Sequence, residues 1–223
     1  MATLLIIGAS RGIGWELARQ SVAAGDRVIA TARDAAGLAA LRDLGCQALQ
    51  LDVADAASVS GLAWQLDGEK IDTAWHVAGV MCNRADATQP PTQADFDRVM
   101  HTNVLGAMQV ITQVAPLVQA AGGRFAFLSS AMGQIGTVSG SGAWLYRVSK
   151  AALNMAVAAA RHSYPGVIFT VFHPGWVRTD MGGAGAPVTP EQSAAGLRAT
   201  LAAATAADNG AFMQFDGSRL NGW

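Results

Sequence analysis

The sequence predicts an α/β fold, a doubly wound parallel sheet with helices on both faces. Three observations predict it. Short apolar runs of strand length alternate with longer stretches of helical periodicity along the whole chain. Hydrophobic residues make up 51% of the 223 residues and charged ones only 14%, which suits a sheet buried on both faces. The unusual polar residues and glycines fall just after the strand-like runs, where ligands bind in such sheets. No repeat, linker or low-complexity tail interrupts the alternation, so residues 1–223 are expected to form a single domain.

The elements follow in order. Residues 3–9, TLLIIGA, read as a strand, and 12–25 as a helix ending at Gly25. A second strand is expected at 26–32, a helix at 35–45 and a third strand at 47–53. Residues 55–66 read as a helix whose opening aspartate can act as a cap, and 71–79 as a strand. Residues 92–122 form one long helix or two, with Pro116 expected to bend or break it. A strand at 123–130 precedes a long helix at 143–164, closed by Pro165 and Gly166. After a strand at 167–175, Thr189, Pro190 and Gln192 carry the signature of a capped helix start. Residues 211–217 supply the last strand.

Composition excludes several functions. The net charge is −1 with a pI near 6.4 and no basic patch, so nucleic acid is not an expected partner. No apolar run reaches the roughly 20 residues of a membrane span, so no membrane partner is expected. The N-terminal LLIIG is too short for a signal-peptide core, and a cytoplasmic location is expected. Cys46 and Cys82 lack C-x-x-C spacing and read as reduced thiols. His76, His101, His162 and His173 show no metal-ligand spacing, so no metal is expected.

Two motifs carry chemistry. The stretch GASRGIG, residues 8–14, follows a strand and opens a helix. Gly8, Gly12 and Gly14 let backbone turn tightly and approach a pyrophosphate, which Ser10, Arg11 and Ile13 then border at the helix N-terminus. At the end of the second strand, where an acidic residue would hold the ribose hydroxyls of NAD, stands Arg33, followed by Asp34. A guanidinium suits the 2′-phosphate of NADP, and Arg11 is a second candidate for it. The other motif is Tyr146 and Lys150, four apart in AWLYRVSKAAL and so on one helix face. Alone, that pair reads as a snorkelling lysine beside a half-buried tyrosine.

Together, GASRGIG, HVAG, Asn103 in NVLG, SSAMGQIG, YRVSK and PGWVRTD resemble, in this order, the short-chain dehydrogenases/reductases. The resemblance covers essentially the whole chain, and FDGSRLNGW resembles the ending of the C-factor-like, carbonyl-reductase-like branch. It implies a Rossmann fold and a family tetrad. Tyr146 would be the general acid or base, with Lys150 holding the nicotinamide ribose and lowering the tyrosine pKa. Ser130, a better fit to the family position than Ser129, would polarise the carbonyl, and Asn103 would support a proton relay. Asp52 resembles the adenine-contacting residue, and Val53, Ala78 and Gly79 the backbone contacts. Pro174, Gly175, Val177 and Thr179 resemble the segment that binds the carboxamide. The physics agrees with the tyrosine's role, because a nearby cation favours the phenolate and a pKa pulled toward working pH improves proton transfer.

The chain departs from the family pattern at His76 and Val77, where two asparagines are usual. His76 is expected to be a satisfied structural histidine. The resemblance implies an NADPH-dependent carbonyl reductase or alcohol dehydrogenase acting on a small ketone, aldehyde or alcohol. NAD stays open as cofactor, and the implied assembly is a homodimer or homotetramer. A cofactor-binding sensor without turnover is the alternative, which the intact Asn-Ser-Tyr-Lys set argues against. Residues 81–91, TVSGSGA and a glycine-rich lid at 180–188 are expected to shape a pocket. Met81, Met132, Trp144, Trp176 and Met181 would make it apolar.

Overall fold

Strands and helices alternate as expected: β1 (Thr3–Ile7), α1 (Gly12–Ala23), β2 (Arg27–Ala32), α2 (Ala35–Asp43) and β3 (Gln47–Gln50). Two short helices follow, α3 (Ala56–Ser60) and α4 (Leu62–Gln65), and then β4 (Thr73–His76). The second half holds α5 (Gln93–Met100), α6 (Gly106–Ala121), β5 (Arg124–Leu128), α7 (Trp144–Ala160), β6 (Ile168–His173), α8 (Pro190–Ala203) and β7 (Ala211–Gln214). These come from a computed structural model that describes residues 1–82 and 85–223. Asn83 and Arg84, part of the expected pocket segment 81–91, lie outside the described residues.

The seven strands form one sheet in the order β3-β2-β1-β4-β5-β6-β7, every pair parallel. The order reverses between β1 and β4, where Ile7 pairs with His76. One sheet face packs Leu5, Ile7, Phe125, Phe127 and Phe169 against α6 and α7. The other packs Ile6, Val28, Ala30, Trp75 and Phe172 against α1 and α8. Adjacent strand residues thus face opposite cores, which is why these strands read as continuous apolar runs.

Side-chain caps set several helix starts. Asp34 accepts from Gly37 N at 2.8 Å and opens α2. Thr189 and Gln192 close the expected capping box on α8. The helix expected at 55–66 is divided at Gly61.

Pro116 does not break its helix. It lies on the exposed side of α6, where the carbonyl it leaves without an N–H partner can meet water. Val110, Ile111, Val114, Ala115 and Val118 hold the opposite side in the core. The irregularity lies upstream, in a π-turn at His101–Leu105 that joins α5 to α6 around Asn103. The continuous helix Gln93–Ala121 is long and apolar enough to cross a membrane by length and composition alone, a test that a core helix also passes, and 44% of its apolar window is buried in the fold.

Just past that π-turn, α6 meets the end of β3 at van der Waals limit. A Cβ on Gly106 would lie 2.3 Å from the Val53 carbonyl oxygen. Gly106→Ala is therefore expected to destabilise by about 1–3 kcal/mol, as overpacking does. Gly136→Ala, with nothing within 4 Å of its Cβ, is the control. Urea unfolding midpoints measure both; equal midpoints would disprove the tight approach.

Candidate active site

A cleft of about 440 Å³ opens at the carboxyl ends of the strands, over the point where strand order reverses. In doubly wound sheets this is where ligands bind. Its floor is the glycine loop. Gly8 takes a φ of +87°, and its N–H donates to Thr31 Oγ1 at 3.0 Å. A Cβ on Gly8 would sit 2.7 Å from Ala78 N, and one on Gly14 would sit 2.2 Å from Gly8 O. Gly12 has a φ of +56°. Only glycine fits these approaches. Ser10, Arg11, Gly12 and Ile13 border the cleft, while Gly14 lies behind it and seats α1 on the loop.

The start of α1 fits an anionic ligand. Helix α1 takes no side-chain cap, as α4, α6 and α7 also take none, but its first turn opens toward the cleft. Uncapped N–H groups at the positive end of a helix suit a pyrophosphate.

The adenosine-side residues line the same cleft. β2 ends at Ala32, so Arg33 is the first residue beyond it and is exposed at the cleft. Asp34 is occupied as the cap of α2. Asp52 and Val53 follow β3 at the rim, Asp52 Oδ1 accepting from Ala54 N at 3.0 Å. Arg11 does not lie free for a phosphate: it pairs with Asp180 at 2.6 Å across the cleft mouth, both side chains exposed. Such a pair is weak and screened by salt.

At the other end stand Tyr146 and Lys150, on the buried face of α7 with Ser149, Leu153 and Asn154. The Lys150 ammonium donates to Leu128 O at 2.8 Å and lies 5.6 Å from the Tyr146 ring centroid. A Cβ on Gly79 would come within 3.3 Å of both Lys150 Nζ and Asn103 Oδ1. Asn103 accepts from Val80 N and donates to Val80 O, both at 2.8 Å, and donates to Ser149 Oγ at 2.9 Å. Ser149 in turn donates to Tyr146 O at 2.8 Å. The π-turn thus ties the end of β4 to α7 through one side chain. Ala143, three residues before Tyr146, takes a φ of +56°. This left-handed conformation strains a residue with a side chain.

The two serines divide. Ser129 Oγ turns away to donate to Asn154 Oδ1 at 2.6 Å, whereas the Ser130 hydroxyl lies close enough to the Tyr146 phenol to lower its pKa. Ser130 and Asn103 do not line the cleft itself, though Tyr146 and Lys150 do. In the segment after β6, Pro174 and Thr179 reach the cleft; Gly175 packs on Phe215, and Val177 bridges to Val188. The expected lid is knitted rather than open: Arg178 donates to Ala186 O and Trp176 Nε1 to Gly182 O, each at 2.8 Å.

In the protein alone, burial pushes the Tyr146 phenol up to about 12, and the neighbouring Ser130 hydroxyl offsets part of this. His76 is buried, but it is not satisfied. It stacks on Phe127 at 5.7 Å, and among the described residues neither ring nitrogen has a hydrogen-bond partner. Burial, with the Lys150 charge, lowers its pKa to about 3, so it stays neutral.

Thr31, Thr102, Val80, Arg178 and Pro190 also line the cleft and were not singled out from sequence. Of these only Pro190 carried a signal, as the first residue of a capped helix, and that signal says nothing of what the helix faces. Among the described residues no cluster of metal-binding side chains gathers.

Burial lowers the Lys150 pKa to about 8 from 10.5. A lowered folded-state pKa means the unfolded chain binds the extra proton between those values, so stability rises with pH through that window. Subtracting Lys150→Met from wild type should isolate this rise in denaturant titrations from pH 8 upward. A flat difference would refute the burial effect.

Residues 2–187 match the family model described as short chain dehydrogenase. The chain is 36% identical to 1-hydroxy-2-glutathionyl-2-methyl-3-butene dehydrogenase of Rhodococcus sp. (strain AD45), covering 99% of each. Its fold superposes on the carbonyl reductase Sniffer of D. melanogaster with a TM-score of 0.92 and 25% identity over 100% of each chain. A carbonyl reductase from Pseudomonas aeruginosa PAO1, solved in complex with NADP, is matched over 100% of each chain, with a TM-score of 0.82 and 30% identity. A family model that runs from before β1 to beyond β6 takes in six of the seven strands, the glycine loop and the Tyr146–Lys150 helix together, and the chain belongs to the short-chain dehydrogenase family of oxidoreductases.

Proposed function

We propose that this protein is an NADPH-dependent carbonyl reductase, or the matching alcohol dehydrogenase, acting on a small apolar ketone, aldehyde or alcohol. The observation that carries the reading is the grouping of Tyr146 and Lys150 at one end of a cleft that begins at the glycine loop, with Ser130 just behind the wall beside the Tyr146 phenol.

The glycine loop and the uncapped start of α1 would hold the pyrophosphate. Lys150 and Tyr146 would hold the nicotinamide ribose, with Ala78, Gly79, Pro174, Gly175, Val177 and Thr179 around the ring. A nicotinamide held there would supply the hydride that the carbonyl carbon takes up. Tyr146 Oη then donates its proton to the oxygen as negative charge builds there, and Ser130 Oγ donates a hydrogen bond to the same oxygen. Lys150, already bonded to Leu128 O, points its charge at the Tyr146 ring and favours the phenolate left behind. Asn103 holds the strand end and α7 in register and would support proton return toward Lys150.

The exposed Trp176 and Met181 beside the cleft support an apolar substrate. Arg33 at the end of β2 supports the 2′-phosphate of NADP, as does the NADP held by the Pseudomonas neighbour. Leu105, Met108, Val148 and Met155, exposed on the outer faces of the π-turn, α6 and α7, support a homodimer or homotetramer formed through those helices. We further assign it to the cytoplasm, with neither nucleic acid nor membrane as partner.

Turnover of aryl ketones, aliphatic aldehydes and quinones, followed by NADPH and NADH absorbance, tests the reading. Tyr146→Phe should keep NADPH affinity within about threefold and lose roughly 10²–10⁴-fold in kcat. Turnover near wild type would sink the acid–base role. For the cofactor, a charge-assisted pair is worth about 1.5–3 kcal/mol, which is roughly ten- to a hundredfold in Kd. Arg33→Ala should therefore weaken NADPH by that factor and leave NADH nearly unchanged in fluorescence titrations. Equal losses for both would show that Arg33 does not read the phosphate.

A further inference from the structure

We propose that Gln134 is a positioning residue: by anchoring the Ser130 turn to the C-terminal segment, it sets the Ser130 hydroxyl against Tyr146. The proposal rests on the catalytic reading of Ser130 and Tyr146 given above.

Ser130 opens a single 3-10 turn, Ala131–Gly133. Its hydroxyl accepts from Met132 N at 3.1 Å and its carbonyl accepts from Gly133 N at 2.8 Å. Those bonds shape the turn locally but do not say where it sits. Two contacts do. On one side, Gly133 lies against α7 at Lys150: a Cβ there would be 2.8 Å from the Lys150 carbonyl carbon. On the other side, Gln134 is buried, 4% exposed, and its Nε2 donates to the backbone carbonyls of Asn221 and Gly222. Its Oε1 accepts from Thr137 Oγ1 at 3.1 Å.

The C-terminal segment is itself fixed. Leu220 N donates to Phe212 O at 2.9 Å, so it starts from the edge strand β7. The Trp223 ring stacks on Phe212 at 6.2 Å, and Ile135 N donates to Trp223 O at 2.9 Å. The Ser130 turn is thus clamped between α7, which carries Tyr146 and Lys150, and a strap fastened to the sheet edge.

A buried amide with its hydrogen bonds made fixes its neighbours, and losing them leaves two carbonyls short of a donor. A shift of about an ångström in a catalytic group can cost on the order of 10²-fold in rate. Gln134 touches neither the reacting atoms nor the cleft, so it acts only through Ser130.

The test uses Gln134→Met, which keeps the length and packing but removes the amide. Amide hydrogen exchange of Met132, Gly133 and Ile135 should speed up, with protection in β5 and α7 unchanged. In turnover of the best aryl ketone with NADPH, kcat should fall about tenfold or more, within the range misplacement produces, while KM and NADPH affinity hold. The same substitution in a Ser130→Ala background should cost nothing further, because the group it positions is gone. Trp223→Ala, which loosens the strap from outside, should move exchange and kcat in the same direction by less. Unchanged exchange at Met132 and Gly133, or an equal kcat loss with and without Ser130, would overturn the proposal. Should Ser130→Ala itself keep wild-type turnover, the catalytic reading fails, and the proposal, which rests on it, falls with it.

Discussion

An ammonium group buried under the end of a parallel sheet must be given oxygen to bond, and much of the site follows from that demand. Lys150 is 4% exposed, and burying a charge without partners is costly. Leu128 O meets it because the β5 chain ends at that point. Gly79 must lack a side chain for the ammonium to pass within 3.3 Å of its Cβ position. Asn103 must then brace a β4 end that has no side chain of its own there, and it reaches Val80 from a π-turn that places it on the inner side of a long helix. Burial also lowers the Lys150 pKa to about 8 and raises that of Tyr146 to about 12, so the two groups are drawn toward their neutral forms by the same loss of water.

The polar layer beneath the pair is unusual. His76 and Asn154 both keep buried nitrogens without a hydrogen-bond partner among the described residues, and His76 lies close enough to Lys150 to feel its charge. The imidazole is instead held by stacking on Phe127 within a row of aromatic rings that continues to Phe125 and Phe169. A flat ring at the end of β4 packs as an aromatic and stays uncharged, which avoids a second cation beside Lys150.

Opposite the rigid tyrosine end, the cleft mouth is held loosely. Arg11 and Asp180 bridge the glycine loop to the segment after β6 by an exposed ion pair. Thr179 also lies against Gly12, within 3.2 Å of its Cβ position. A dinucleotide's phosphates would compete with Asp180 for Arg11, so the contact that spans the mouth is one a ligand can replace at small cost. Arg33, by contrast, has no partner across the cleft to give up, since Asp34 beside it is spent on capping α2.

The sequence by itself determined the alternation of strands and helices, the glycine loop, the capping box at Thr189 and the one-turn spacing of Tyr146 and Lys150. Each is a local pattern whose period or turn chemistry is written in neighbouring residues. It could not place the break in the long helix, because Pro116 announces a kink that solvent exposure tolerates, while Asn103 carries no such mark. It could not foresee that His76 would go unpartnered, that Arg11 would cross to Asp180, or that Gln134 would meet the C-terminal segment 87 residues away. Nor could it tell that burial would raise the Tyr146 pKa in the protein alone, since a pKa depends on how much water the whole fold removes. Those outcomes rest on contacts between residues far apart in the chain, and only the packed sheet with its two helical layers brings such residues together.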